Sequence, residues 1–61
     1  MMQVTQMELN TLKQLIAMED LHSKKCQLYA QNCNDTQLQN FFNQQAQQSS
    51  NNARTLMSFI S

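Results

Sequence analysis

The chain has 61 residues, with no glycine, no proline and no tryptophan, and its four basic residues balance four acidic ones. This length allows one small domain, and the missing glycines exclude a glycine-rich phosphate-binding loop. The zero net charge leaves no basic surface for nucleic acid, and the longest apolar run, 15–18, is too short for a membrane span or a signal peptide.

Glutamine and asparagine are unusually frequent and together account for 18 of the 61 residues. Such a bias is typical of disordered, aggregation-prone segments. Here, however, 41% of the residues are hydrophobic, and they recur at helical spacing along the chain. The sequence therefore favours a folded, all-α protein over a disordered one.

The first helix has a clear start signal. Thr5 and Glu8 have the spacing of a capping box, in which the hydroxyl and the carboxylate each accept a hydrogen bond from the other residue's backbone N–H. No strong breaker follows until the polar segment 32–35. The pattern predicts a helix over about 6–32.

A second helix is predicted after a short polar turn. Asp35 is the better N-cap and Asn34 is the alternative, and the helix should continue over about 36–60. With the turn at about 33–35, residues 1–61 form a single domain, an antiparallel two-helix hairpin.

Each predicted helix carries an apolar stripe that becomes polar near its middle. If the chain reverses near Asn34, position 19 lies opposite about position 49, and the two polar regions meet in a buried layer. This layer would contain Glu19, His22, Ser23, Gln45, Ser49 and Asn52. A buried carboxylate needs hydrogen bonds, a cation or a proton, so Glu19 is the position that most needs a partner.

A hairpin of this size cannot bury both stripes by itself. We therefore expect the chain to pair with itself as a homodimer or higher oligomer, with two hairpins forming a four-helix bundle. Met18, Leu21 and Leu28 form a further apolar strip on the far side of the first helix. That strip is either ordinary surface, a further assembly contact or a site for a partner helix.

The two cysteines, Cys26 and Cys33, are predicted to be small, buried hydrophobic residues. Free buried cysteines are typical of a protein in a reducing compartment. Seven residues of helix separate them by about 10 Å, which is too far for a disulfide. Oxidation of Cys33 between molecules is the alternative. His22 lies four residues before Cys26, but without an orienting third group this pair gives no basis for catalysis, and no enzyme activity is expected.

Glu19 and His22 form one Glu-x-x-His pair, which is the candidate metal site. A two-fold dimer would supply two carboxylates and two imidazoles, enough for one metal ion. The interpretation we favour over a bound metal is that Glu19 is a polar core residue paired with His22, Lys25 or amides of the second helix. No cofactor is expected.

Several segments together resemble one known family over about residues 8–60. On the first helix they are Met18-Glu19-Asp20-Leu21, Lys24-Lys25 and Tyr29-Ala30. On the second they are Asp35-Thr36-Gln37-Leu38-Gln39-Asn40-Phe41-Phe42, Ala46-Gln47 and Thr55-Leu56. In this order and spacing they resemble the short ferritin-like, rubrerythrin-like spore coat proteins of spore-forming bacteria, which are related to the coat F group.

The resemblance implies a ferritin-like hairpin and a role in sporulation. It suggests other spore coat proteins as partners, and the mother-cell cytoplasm or the spore coat as the location. Family members carry a glutamate that matches Glu19 and two histidines that would fall at Ser49 and Asn52. Serine and asparagine are poor ligands for borderline divalent ions, so this chain lacks half of the family's ligand set. We therefore expect a structural protein, with a degenerate metal-binding or redox bundle as the alternative.

Overall fold

A computed structural model describes residues 4–60 and contains two helices that pack against each other as a hairpin. Helix α1 spans Gln6–Gln31 and helix α2 spans Thr36–Ser58. The Cα atoms extend over 45 × 16 × 11 Å, and residues 4–60 contain no strand. The predicted all-α hairpin is confirmed. The predicted domain limits, 1 and 61, lie outside the described residues.

The capping box predicted at the start of α1 is present. The Glu8 N–H donates to the Thr5 hydroxyl at 3.1 Å, and the Thr5 N–H donates to the Glu8 carboxylate at 2.9 Å. Because this backbone donor and the Thr5 side chain both favour the charged carboxylate, the pKa of Glu8 lies below its ordinary value of 4.5. The start of α1 is therefore coupled to the ionisation of one exposed acid.

Acidification should loosen the first turn of α1. Because the pKa of Glu8 is lowered in the folded state, its charged carboxylate stabilises the capping box fully above the ordinary pKa of 4.5. This stabilisation is lost as the pH falls through the lower folded-state pKa. Carbon-13 Cα shifts around Leu9 should move toward coil values in that range. In Glu8→Gln, which keeps an acceptor but does not titrate, the shifts should stay constant; equal pH dependence in both proteins would contradict this account.

The link between the helices uses polar caps in place of glycine. Asp35 is the N-cap of α2, and its carboxylate accepts a hydrogen bond from the Leu38 N–H at 3.0 Å, so the structure selects Asp35 over Asn34. The Gln39 side-chain amide donates to the Cys33 carbonyl and ties the link to α2. Helix α1 ends one residue before the predicted position, and α2 ends two residues before it.

Small side chains form the buried centre of the hairpin. On α1 they follow a spacing of three and then four residues, and α2 repeats this spacing from Ala46 through Ser49 to the half-buried Ala53. The buried residues are Ser23, Cys26, Ala30, Ala46 and Ser49. We call these five residues and Ala53 the small-residue seam. Because their side chains are short, the two helix backbones can approach closely.

The Ser23 hydroxyl bridges the two helices across this seam. It donates to the backbone carbonyl of Ala46 at 2.8 Å, and Ser23 is only 2% exposed. A side chain this short reaches the opposite backbone only when the helices lie close together. The bond also fixes the register, because it pairs residue 23 with residue 46.

The structure corrects the prediction of a buried layer of six polar side chains. Only Ser23 and Ser49 are buried; Glu19 and Gln45 are half-buried, and His22 and Asn52 are exposed. Two helices in close contact bury only the narrow seam between them. Positions on the flanks of each stripe, such as His22, therefore remain outside.

Removing the Ser23 hydroxyl should have a modest effect. Ser23→Ala keeps the small volume and loses one buried hydrogen bond, which contributes about 1 kcal/mol. For a domain of this size the melting temperature should fall by about 4–8 °C. Ser58→Ala, which removes a hydroxyl bound within its own helix, is the matched control and should change it little. Equal shifts in both variants would contradict a special role for Ser23.

Candidate functional site

The most prominent surface feature is the number of exposed large apolar side chains. Among residues 4–60, nine of them are at least 40% exposed. They are Met7, Leu15, Met18, Leu21, Leu28, Tyr29, Leu38, Phe41 and Met57. Monomeric soluble proteins rarely expose apolar patches beyond a few hundred Å².

An aromatic row joins the two helices near the turn. The Tyr29 ring of α1 lies 5.5 Å from the Phe42 ring of α2, and the Phe42 ring lies 5.6 Å from that of Phe41. Tyr29 and Phe41 are about half exposed, so these contacts leave much of both rings uncovered. The row therefore spans the hairpin and still presents apolar surface to the outside.

Two leucines extend this row into a larger surface. Leu38, one helical turn before Phe41, is 48% exposed, and Leu15, two heptads before Tyr29, lies on the same side of α1. We call Leu15, Tyr29, Leu38, Phe41 and Phe42 the aromatic face. Helical periodicity predicted that these five positions belong to apolar stripes, and the structure shows that the single hairpin leaves most of them partly uncovered.

The two predicted metal ligands of α1 occupy different environments. Glu19 is half-buried, and its carboxylate forms no hydrogen bond or ion pair with any other residue between 4 and 60. His22 is exposed, and its Nε2 lies 3.5 Å from the Cys26 sulfur, one turn further along α1. The His22 ring is therefore directed toward Cys26 and not toward Glu19.

His22 also lines a shallow open pocket of about 240 Å³ with Met18, Leu21 and Lys25. Within the described part of the chain, no three His, Cys, Asp or Glu side chains are grouped closely enough to hold a metal ion. A metal held by Glu19 and His22 would thus need a second copy of the chain.

Two cysteines and one ion pair are the other reactive or charged groups considered for a site. Both cysteines are free; Cys26 is buried and Cys33 is half-buried. The Lys24 ammonium lies 3.0 Å from the Asp20 carboxylate, and both side chains are well exposed. An exposed pair of this kind contributes little to stability.

No protein-family profile, no curated protein and no solved structure matches this chain. The similarity to the ferritin-like spore coat proteins therefore stays a prediction made from the sequence. Neither helix within residues 4–60 combines the length and the apolar character needed to cross a membrane.

Proposed function

We propose that this chain is a small structural protein that acts through self-association. Two hairpins would pair through their aromatic faces and form a four-helix bundle with ferritin-like packing. The observation that carries this proposal is the aromatic face, where half-exposed Tyr29 and Phe41 stand beside an interior of small residues. Pairing would cover rings that the single hairpin leaves in water.

The surface areas favour a partner. The hairpin has an accessible surface of 4874 Å², whereas a compact monomer of 7.1 kDa exposes about 4,100 Å². Its broad side, 45 by 16 Å, has a flat footprint of roughly 720 Å², close to the ~800 Å² that each partner buries in a standard interface. One hairpin is thus large enough to cover another.

The distribution of charge also supports the aromatic face as the surface through which two hairpins pair. The Asp20–Lys24 ion pair lies elsewhere on α1, since Lys24 is nine residues after Leu15 and half a turn out of phase with it. The neighbouring flank of α2 carries neutral amides at Gln45 and Asn52. Interfaces exclude charge from their centre and accept hydrogen-bonding groups at the rim, and this face has that arrangement.

Thermal unfolding at two concentrations tests the self-association. A species stabilised by pairing melts at a higher temperature when the protein is more concentrated. A hundredfold increase in concentration should raise the melting temperature by several degrees. An identical melting temperature at both concentrations would contradict the proposal.

The biological setting we propose is the spore coat, with no catalytic activity. Its support is the similarity of residues 8–60 to spore coat proteins and a surface rich in amides, which hydrate without net charge and can bond laterally to other coat proteins. The protein should be present in purified spores of its source organism. Its presence in vegetative cells together with its absence from spores would contradict this setting.

A second candidate function is metal binding by Glu19 and His22 across the dimer. The observation that favours it is the half-buried Glu19 carboxylate, which has no hydrogen-bond or ion-pair partner among residues 4–60. Protein purified without a histidine tag should then contain up to one iron, zinc or manganese ion per two chains.

Metal analysis of two variants tests this candidate. Glu19→Gln should lose the metal and keep the fold, whereas Glu8→Gln makes the same chemical change at the exposed start of α1 and should retain it. A metal content near zero in the unmodified protein, or an equal content in all three proteins, would contradict it.

A further inference from the structure

An apolar strip runs along the side of α1 that faces away from α2. Met18, Leu21 and Leu28 are 64%, 54% and 54% exposed, and Lys25 completes a spacing of three, four and three residues. This is the a and d spacing of a coiled coil, with leucine at both d positions and lysine at one a position. We call these four residues the outer strip. Counted at about 100° per residue, it lies nearly opposite the α1 residues of the small-residue seam.

Lys25 carries an unpaired charge in the middle of the outer strip. It forms no ion pair with any residue between 4 and 60, whereas the adjacent Lys24 is paired with Asp20 at 3.0 Å. None of the residues three or four positions from Lys25 on α1 is acidic. A partner that covered the strip without a carboxylate would remove this ammonium group from water without compensation. A carboxylate on the partner would offset that cost and would also fix the register.

A second copy of this chain is poorly suited to cover the outer strip, because its acids are already engaged. Glu8 accepts a hydrogen bond in the capping box, Asp20 is in an ion pair, and Asp35 caps α2. Glu19 is half-buried beside the small-residue seam, so its side chain is only partly accessible to another chain. A parallel pair of strips would also set two Lys25 ammonium groups against each other. The carboxylate must therefore come from a different protein.

We propose that the outer strip docks an acidic amphipathic helix of another protein. The apolar side chains of the incoming helix would pack beside Leu21 and Leu28. One of its carboxylates would pair with the Lys25 ammonium at the shallow open pocket that Lys25 lines with Met18 and Leu21. An anionic membrane fits the strip less well. Helices that lie on membranes carry their lysines on the polar face, whereas Lys25 lies between apolar residues of the strip.

The outer strip is largely separate from the aromatic face. Counted at about 100° per residue, the two leucines of the strip point about 110° around α1 from the mean direction of Leu15 and Tyr29. Two hairpins paired through the aromatic face would therefore leave both leucines exposed. Lys25, four residues before Tyr29, lies at the border between the two surfaces. The docking proposal thus does not depend on the proposed self-association.

Fluorescence anisotropy with designed peptides tests the docking. The probe is a labelled helical peptide of about three heptads, with leucine at its a and d positions and glutamate at the central a position. A second peptide has glutamine at that position. The protein should bind the glutamate peptide about fivefold more tightly than the glutamine peptide. Lys25→Glu should abolish this preference and should bind a third peptide, with lysine at the same position, more tightly than the unmodified protein does. Leu21→Asn should weaken the binding of the glutamate and glutamine peptides about tenfold.

Matched controls separate the outer strip from other surfaces. Lys13→Glu makes the same charge change elsewhere on α1, and Phe41→Glu changes the aromatic face; both should keep the preference of the unmodified protein. Circular dichroism should show that each variant remains helical. Equal binding of the glutamate and glutamine peptides, or no binding of either, would overturn the proposal. Binding to phosphatidylserine vesicles that Leu21→Asn abolishes would assign the strip to a membrane, and a lower oligomer mass in Leu21→Asn would assign it to a second copy. Either result would also overturn the proposal.

Discussion

Replacing Ala46 with leucine is expected to remove most of the hairpin's free energy of unfolding. Ala46 is 4% exposed, and its carbonyl accepts the Ser23 hydroxyl at 2.8 Å, so the two helices leave no room for a larger side chain. Overpacking of a tight core costs about 1–3 kcal/mol and sometimes more. A core of this size rarely supplies more than about 3–5 kcal/mol, so the loss removes most of the stability.

Ala17→Leu is the matched control for this prediction. Ala17 lies on the exposed side of α1, and leucine is nearly as good a helix former as alanine. Urea unfolding followed by circular dichroism should show a large loss of stability for Ala46→Leu and almost none for Ala17→Leu. Equal stability of the two variants would contradict close packing at the small-residue seam.

Phe41→Glu is expected to separate the proposed dimer into single hairpins. Phe41 is 52% exposed and touches Phe42, so the substitution places a charge on the aromatic face. Loss of a central aromatic side chain costs about 2–4 kcal/mol of binding free energy, which raises the dissociation constant roughly 30- to 1,000-fold. Burial of an unpaired carboxylate adds to this cost.

Asn43→Glu provides the control with the same added charge. Asn43 is exposed and lies two residues after Phe41, on the opposite side of α2. Sedimentation equilibrium should give a much weaker association for Phe41→Glu and an unchanged one for Asn43→Glu. Equal association constants for the two variants would show that the aromatic face is not the interface.

Local signals in the sequence were sufficient to predict where each helix begins. The capping box of Thr5 and Glu8 and the N-cap at Asp35 depend on residues three positions apart, and both are present. The register in which the two helices pair could also be predicted, because a reversal near Asn34 leaves little freedom for two helices of similar length. The Ser23–Ala46 bond agrees with it to within about one residue.

The depth of burial could not be predicted from periodicity. Periodicity gives the direction in which a side chain points from the helix axis. It does not give the fraction of that side chain that the neighbouring helix buries. Glu19 lies near the centre of the predicted stripe, yet it is only half-buried, because the contact narrows to the line of Ser23 and Cys26. The short side chains at 23, 26, 30, 46, 49 and 53 were the available signal for this narrow contact.

The contact between His22 and Cys26 could be predicted only in part. The spacing of four between His22 and Cys26 is visible in the sequence, and it places both on one side of α1. The direction of the His22 ring toward Cys26 depends on a side-chain rotamer, which spacing does not specify.

The solution mass of the unmodified protein tests the central claim most directly. Multi-angle light scattering at micromolar concentration should give twice the 7.1 kDa mass of one chain, or a higher even multiple. A single species of 7.1 kDa that remains helical and folded would contradict the claim that the aromatic face is covered by a second copy.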